Sequence, residues 1–453
     1  MTTSQPVAEE VLADFVSAPP ALPKEVRAAG RRSLLNMVGT TIGGSGETAI
    51  DRLVELSAEF GGADGSTLVG RRERADMLWA ASINAAAANI FDFDDTHIPT
   101  VVHPSAPVGP AVLALAEARA ALGRPVSGAT LLEAFVLGVE ITCRLGLAAG
   151  EAHYARGWHI TSTAGIFGAA LACGRLLELP PPALVDAIGN ALAQAAGSVE
   201  TLGTMSKSLG VGQAARGGLL AALLAERGYT GPRHPLTGAR GFFSLYCDHA
   251  DAASLTEGLG RSWEILNNTF KPYPCGVVLN PVIEACLALN AEGGFDARDI
   301  VEVELTGHPL LRQRTDRPGV TSGRLAQVCA QHAVAVSLLH GKADLDAFSD
   351  ESVADPVLRA FAARLRFRDD PTYALESARV LLRFADGREI ARTVDAAKGG
   401  LARPMSDAEL AAKLAAQVEW RGLQLDVGRL VAAIESIEDA EDGAAFLALT
   451  RPQ

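Results

Sequence analysis

Over its first 265 or so residues the chain places Ala, Leu and Val at three- and four-residue spacing, with Gly and Pro falling between the periodic runs. That period lines apolar groups along one face of an α-helix, whereas a strand needs alternation at every second residue. The clearest runs, 131–147, 163–177, 182–196 and 213–227, are rich in Ala and Gly. Aromatic residues make up only 5% of the chain, so the core must be aliphatic, and the small residues permit close helix-to-helix contact. An aliphatic helical bundle is the simplest architecture for such a pattern.

After about residue 265 the pattern changes. Residues 300–305 alternate through VEVEL, and ARVLLRF at 378–384 is followed by Asp-Gly and REIARTV, a hairpin with a favoured turn. Helical periodicity returns at 281–289 and 326–339, which predicts strands with helices packed on them. From Ser406 the chain reads as helical again, with Glu409 three residues later completing a capping box. The predicted fold class is mainly α. Residues 1–266 and 400–453 form a large all-helical domain and 267–399 a smaller α+β domain, the C-terminal helices returning to the first. The acidic cluster Glu435, Glu438, Asp439, Glu441 and Asp442 reads as a solvated helix face rather than a cation site.

Charge and cysteine usage exclude several functions. The chain has 453 residues, with 40 Lys and Arg against 53 Asp and Glu, and its net charge of −13 repels nucleic acid and anionic lipid. Six cysteines, at 143, 173, 247, 275, 286 and 329, form no CxxC pair and lie mostly in apolar segments, as in a reduced protein. Residues 1–20 carry Glu9, Glu10 and Asp14 where a signal peptide needs a basic start and an apolar block. The apolar window 77–91 is interrupted by Ser82, Asn84 and Asn89 before the roughly 20 residues of a membrane span. A soluble, cytoplasmic protein with no nucleic-acid or membrane partner is expected.

Three stretches carry candidate chemistry. FDFDDTHIPTVVHPS at 91–105 concentrates Asp92, Asp94, Asp95, Thr96, His97 and His103. Three readings stay open for it: a general acid/base site with a carboxylate orienting a histidine; a magnesium site using Asp92 and Asp95 three apart on a helix; or a capped, solvated loop. GWHITST puts His159 just before the helix starting near Thr163, where free N–H groups and the dipole make an anion site, and Tyr154 lies five residues earlier. SKSLG puts Lys207 before a helix starting near Gly212. The GxGxxA pattern of Gly210, Gly212 and Ala215 follows no apolar strand, so it fails as a dinucleotide fingerprint and reads as close packing. His103 also precedes a helix, from Pro107. Three helix starts that each present a proton carrier or a cation would, on converging, bind a small polycarboxylate. They would then move protons at the carbon beside a carboxyl group.

These motifs, FDFDDT with HPS, GWHITS, MSKSLGVGQAA, RGYTGP and KPYPCGVVLNP, resemble the MmgE/PrpD family in order from about residue 30 to 290 and more weakly beyond. Its members include 2-methylcitrate dehydratase, cis-aconitate decarboxylase and iminodisuccinate epimerase. The resemblance implies a helical domain with an α+β lid, a homodimer, no metal or organic cofactor, and an interdomain active site at Asp92, Thr96, His103, His159 and Lys207. In the expected roles His159 and His103 form the proton-transfer pair, with Tyr154 as an alternative partner. Asp92 orients a histidine, Lys207 stabilises an enolate-like intermediate, and Thr96 fixes a substrate oxygen, with Lys271 of the KPYP motif also binding substrate.

Two positions depart from the family pattern. Asn280 stands where many members have a histidine; as a substrate-binding residue it can hydrogen-bond, but it cannot act as a general acid. Arg314 stands where the decarboxylase uses a tyrosine, and its guanidinium can clamp a carboxylate. The function expected is that of a cofactor-independent, dehydratase-like lyase acting on a small di- or tricarboxylate. The alternatives are an isomerase or epimerase of an amino or imino dicarboxylate, or a catalytically silent carboxylate-binding homologue. A magnesium-dependent helical synthase needs a second Asp- or Asn-rich motif, and none is visible.

Overall fold

Small side chains at helix crossings decide the first half of the molecule, a computed structural model that describes residues 7–62 and 65–452. The start of the acidic 1–20 stretch and the final residue of the expected 400–453 segment lie outside the described residues. The first helices are α1 (Ala8–Ser17), α2 (Lys24–Gly44), α3 (Thr48–Phe60), α4 (Met77–Asn89) and α5 (Ser105–Ala121). They are followed by α6 (Gly128–Ala155), α7 (Ile160–Leu176), α8 (Pro181–Leu192), α9 (Ser206–Glu226) and the short α10 (Phe242–Tyr246). Local chemistry starts several of them. The Asp76 carboxylate accepts from the Leu78 and Trp79 N–H groups at 3.0 Å to cap α4, and Ser127 caps α6 through Thr130 N.

Helix α7 is buried at every position from Ile160 to Gly174, the mark of a central helix, and it packs on α5, α6 and α9. At the α6–α7 crossing a Cβ on Gly138 would lie 2.8 Å from the Cβ of Ala172, so that approach needs glycine. Helix α9 is long and apolar enough by length and composition to cross a membrane, but most of it is buried against α4, α7 and α8. A buried pair joins α6 to the irregular chain that follows α10. Arg144 Nε donates to Glu140 at 2.6 Å, and its Nη groups reach the carbonyls of Glu257 and Ser262.

The second unit clusters residues 269–406 together with 91–93, against the expected span of 267–399. Its four-stranded sheet runs in the order Leu365–Asp369, Ile300–Gly307, Ala378–Phe384, Glu389–Val394. The first pair is parallel and the others antiparallel, with Val303 opposite both Leu365 and Leu382. Ala378–Phe384 and Glu389–Val394 are the expected hairpin, and Gly387 takes φ +85° in its turn, a conformation glycine adopts without strain. Helices α11 (Asn280–Glu292), α12 (Pro309–Thr315), α13 (Gly323–Ala326), α14 (Ala330–His340), α15 (Asp350–Ala354) and α16 (Pro356–Ala362) complete the unit. Its core joins Val282, Ile283 and Cys286 of α11 to Val303, Leu305 and Val380 of the sheet.

The last helices, α17 (Asp407–Trp420) and α18 (Val427–Glu435), cluster with the first helical unit, where α17 packs on α2. Glu438 pairs with Arg27 at 2.9 Å and with Arg31, so this carboxylate of the acidic cluster serves a helix contact. The chain is mainly α.

Candidate active site

Residues 91–104 are irregular apart from the short strand Thr96–His97, which corrects the helical reading that would set Asp92 and Asp95 side by side as metal ligands. Asp92 takes φ +52° and clusters with the second unit, because Lys271 holds it there. The ammonium of Lys271, itself only 2% exposed, donates to the Asp92 carbonyl at 2.8 Å and lies 3.2 Å from its carboxylate. Asp95 is fully buried in the helical unit, where one carboxylate oxygen accepts from Ser105 Oγ and Asn268 Nδ2. Burial pushes its pKa up to about 7, and the neighbouring charge of Asp94 adds to the rise.

The two histidines of this segment differ in what they can do. His97 is fully buried, with Nδ1 2.8 Å from Thr100 Oγ1 and Nε2 3.0 Å from the Glu264 carboxylate, so both nitrogens serve the fold. His103 places Nδ1 2.8 Å from the Asp95 carbonyl, which can only accept. Nδ1 therefore carries a hydrogen, and in the neutral imidazole the lone pair is on Nε2, the form a general base needs. Behind the ring, Asp94 Oδ1 lies 3.5 Å from Nδ1, and Asn89 Nδ2 donates to Asp94 Oδ2 at 2.7 Å. Thr96 Oγ1 is 3.3 Å from the same nitrogen. Thr96, expected to grip a substrate oxygen, thus sits beside the imidazole in this structure.

Helices α7 and α9 begin earlier than the periodicity predicts, at Ile160 and Ser206 instead of near Thr163 and Gly212. His159 is consequently the N-cap residue of α7, and Lys207 lies inside the first turn of α9. Helix α5 likewise begins at Ser105, two residues after His103. The three starts are knitted together. The His103 N–H donates to Thr161 Oγ1 of α7 at 3.1 Å, and His159 Nδ1 is 2.8 Å from Ser162 Oγ. A Cβ on Gly210 would lie 3.0 Å from that same Ser162 Oγ, so Lys207's helix passes directly over the His159 side of α7. Gly165 meets Pro107 in the same way, its Cβ position 2.4 Å from the ring. The glycines that mimic a nucleotide motif are packing residues: Gly212 would clash with the Ser82 carbonyl of α4 at 2.6 Å if it carried a side chain.

Tyr154 follows Gly150, whose φ of +69° breaks α6 and re-aims its last turn. In that turn His153 is held by the Tyr246 carbonyl and Thr163 Oγ1, and burial lowers its pKa, which keeps it neutral. In the second unit Lys271 and Asn280 line one small pocket with Glu376 and Lys398. Asn280 Oδ1 faces Cys275 Sγ at 3.7 Å. Arg314 is partly exposed on α12, while its neighbour Arg312 is committed to Asp369. Three helix N-termini, two imidazoles and an ammonium in one region can bind an anion and exchange protons with it.

Comparison with known proteins decides the family. The profile of the MmgE/PrpD N-terminal domain matches residues 10–254, and that of the MmgE/PrpD C-terminal domain matches residues 273–438. The chain belongs to the MmgE/PrpD family. Its curated relatives include the cis-aconitate decarboxylase of Mus musculus, 26% identical over 91% of this chain and 86% of that protein. The human enzyme of the same name is 26% identical over 93% and 89%, and that of Aspergillus terreus 26% over 86% and 85%.

In this MmgE/PrpD member the residues at the helix starts are legible in the sequence, whereas those that support them are not. Asp94 was visible only as part of an acidic run, and nothing in FDFDDT distinguishes the carboxylate behind an imidazole from the one bonded to Ser105. Thr161 and Ser162 sit inside GWHITS, yet their bonds to His103 and His159 arise only when α5 and α7 are packed.

Proposed function

We propose that the protein is a lyase that transfers a proton at the carbon beside a carboxylate of a small di- or tricarboxylate, without a cofactor. One observation carries this reading: the starts of α5, α7 and α9 adjoin, each bringing His103, His159 or Lys207. The decarboxylase relatives support the lyase class. In this scheme one histidine removes the proton on the carbon beside the carboxylate, and the electron pair becomes enolate-like. Lys207 and the helix dipoles stabilise the developing charge. In a dehydration the second histidine protonates the departing hydroxyl; a decarboxylation instead removes no C–H proton, the electron pair of the broken C–C bond becomes the enolate-like carbanion as carbon dioxide leaves, and a protonated histidine delivers a proton to that carbon. Asp94 backs the His103 imidazolium. Lys271, fixed by Asp92, and Arg314 serve carboxylate binding, and Tyr154 is the alternative proton carrier.

Asn280 favours a substrate other than that of the histidine-bearing members, because an amide cannot relay a proton. The test is incubation of the protein with a panel of di- and tricarboxylates in deuterium oxide, followed by NMR and mass spectrometry. Deuterium beside a carboxylate with loss of water or carbon dioxide supports the lyase. Exchange with unchanged skeleton turns the reading to an epimerase, and ligand binding without exchange to a silent binding protein. His159→Asn is expected to lower turnover at least about a hundredfold, the scale of one general acid/base group.

A further inference from the structure

A cavity of about 250 Å³ opens in the second unit and shares no residue with the histidine site or with the pocket of Lys271 and Asn280. It lies between α14, α15, α16 and residues 319–321. The volume falls just below the range of drug-sized ligand sites, so the fit is to a small molecule. Val320, Val353, Leu358 and Ala362 give it apolar walls. Two of its polar groups are committed to the fold. The Cys329 thiol donates to the Arg317 carbonyl at 3.2 Å. The Gln331 amide donates to the Asp316 carboxylate at 2.6 Å and accepts from the Arg317 N–H at 3.2 Å.

The other two keep bonding capacity for a ligand. His332 lines the cavity and is only 5% exposed, and its Nε2 lies 2.7 Å from the Ala347 carbonyl, which can only accept. Nε2 therefore carries a hydrogen. Burial lowers the pKa of the ring, and the neutral form leaves its lone pair on Nδ1. Ser352 Oγ, at 3.5 Å, also faces Nε2, so Nδ1 has no hydrogen-bond partner among the described residues. An acceptor so nearly enclosed is costly to leave unpaired. Arg359 lines the same cavity but is itself exposed, so it marks the open side. One bond fixes it, from Nε to the Val353 carbonyl at 2.8 Å, and its Nη groups have no partner among the described residues. A guanidinium held in this way presents donors that match the paired oxygens of a carboxylate.

We propose that this cavity is a binding site for a small hydroxy acid with an apolar body, its hydroxyl donating to His332 Nδ1 and its carboxylate held by Arg359. Isothermal titration calorimetry of the full chain tests it with p-hydroxybenzoate, and with benzoate and phenol as compounds that each lack one of the two groups. Saturable binding of about one equivalent of p-hydroxybenzoate is expected, about fivefold tighter than that of benzoate or of phenol, the scale of one net hydrogen bond. Arg359→Met, a surface change, is expected to abolish the preference over phenol. Ala362→Phe, at a partly buried position, fills the cavity and leaves every polar group in place, and it is expected to weaken binding at least about tenfold. Both variants are expected to keep the circular dichroism spectrum of the parent. His159→Asn is expected to bind as the parent does, which separates this cavity from the histidine site. The proposal is overturned by an absence of saturable p-hydroxybenzoate binding, or by equal affinity for benzoate. Binding undiminished in both Arg359→Met and Ala362→Phe, or lost in His159→Asn, overturns it as well.

Discussion

At the scale of single residues, the segment 91–105 shows how neighbours of one chemical type take different work. Asp94 and Asp95 are both fully buried, yet one faces an imidazole and the other a serine and an amide. Replacing Asp94 by Asn keeps an acceptor for Asn89 but removes the charge behind His103. We expect kcat to fall at least about tenfold with KM within about twofold, because the carboxylate supports the protonated imidazole and does not touch substrate. Steady-state kinetics beside an unchanged circular dichroism spectrum checks this. Asp95 makes a pH prediction. Its pKa of about 7 in the folded chain exceeds the ordinary value near 4, so between these limits the folded state holds a proton that the unfolded state has released. Stability therefore declines as pH rises through that window. Asp95→Asn should flatten this decline and raise stability at pH 8 by about 1–3 kcal/mol, read from thermal melts across pH.

At the scale of elements, the register of helix on helix places the functional groups. Gly165 on α7 receives Pro107 of α5, and these two helices carry His159 and His103 at their starts. Gly165→Val must push them apart, at a cost of about 1–3 kcal/mol from overpacking. A loss of kcat larger than the loss of folded protein is the expected result, measured by pairing denaturant melts with kinetics at a temperature where the variant is folded. Packing likewise sets the start of α9 at Ser206 and not near Gly212: the glycines of SLGVG interrupt the apolar period, but packing against Ser82 and Ser162 keeps that stretch helical.

At the scale of the whole molecule, the cysteines report on how the cores close. All six are free and buried, in both units, and burial raises the thiols, Cys247 to about 11. Less than one equivalent should react with a thiol reagent at pH 8 in the folded protein, and six after denaturation, because a thiolate must form and be reached. Rapid modification of several thiols in the native state would contradict the packing described.

The residues alone determined the helical period, the hairpin at Asp386-Gly387, the location of three candidate helix starts and the family likeness. All of these are local patterns, written in spacings of two to four residues or in short motifs. Tertiary structure decided which carboxylate backs His103, that Asp92 belongs with Lys271, and that His332 and Arg359 line one cavity. Each of these pairings joins residues brought together only by packing, and the energy of a buried charge depends on what surrounds it in space. A linear pattern carries the identity of such groups but not their partners, and it is the partners that determine whether a histidine is a base or a strut.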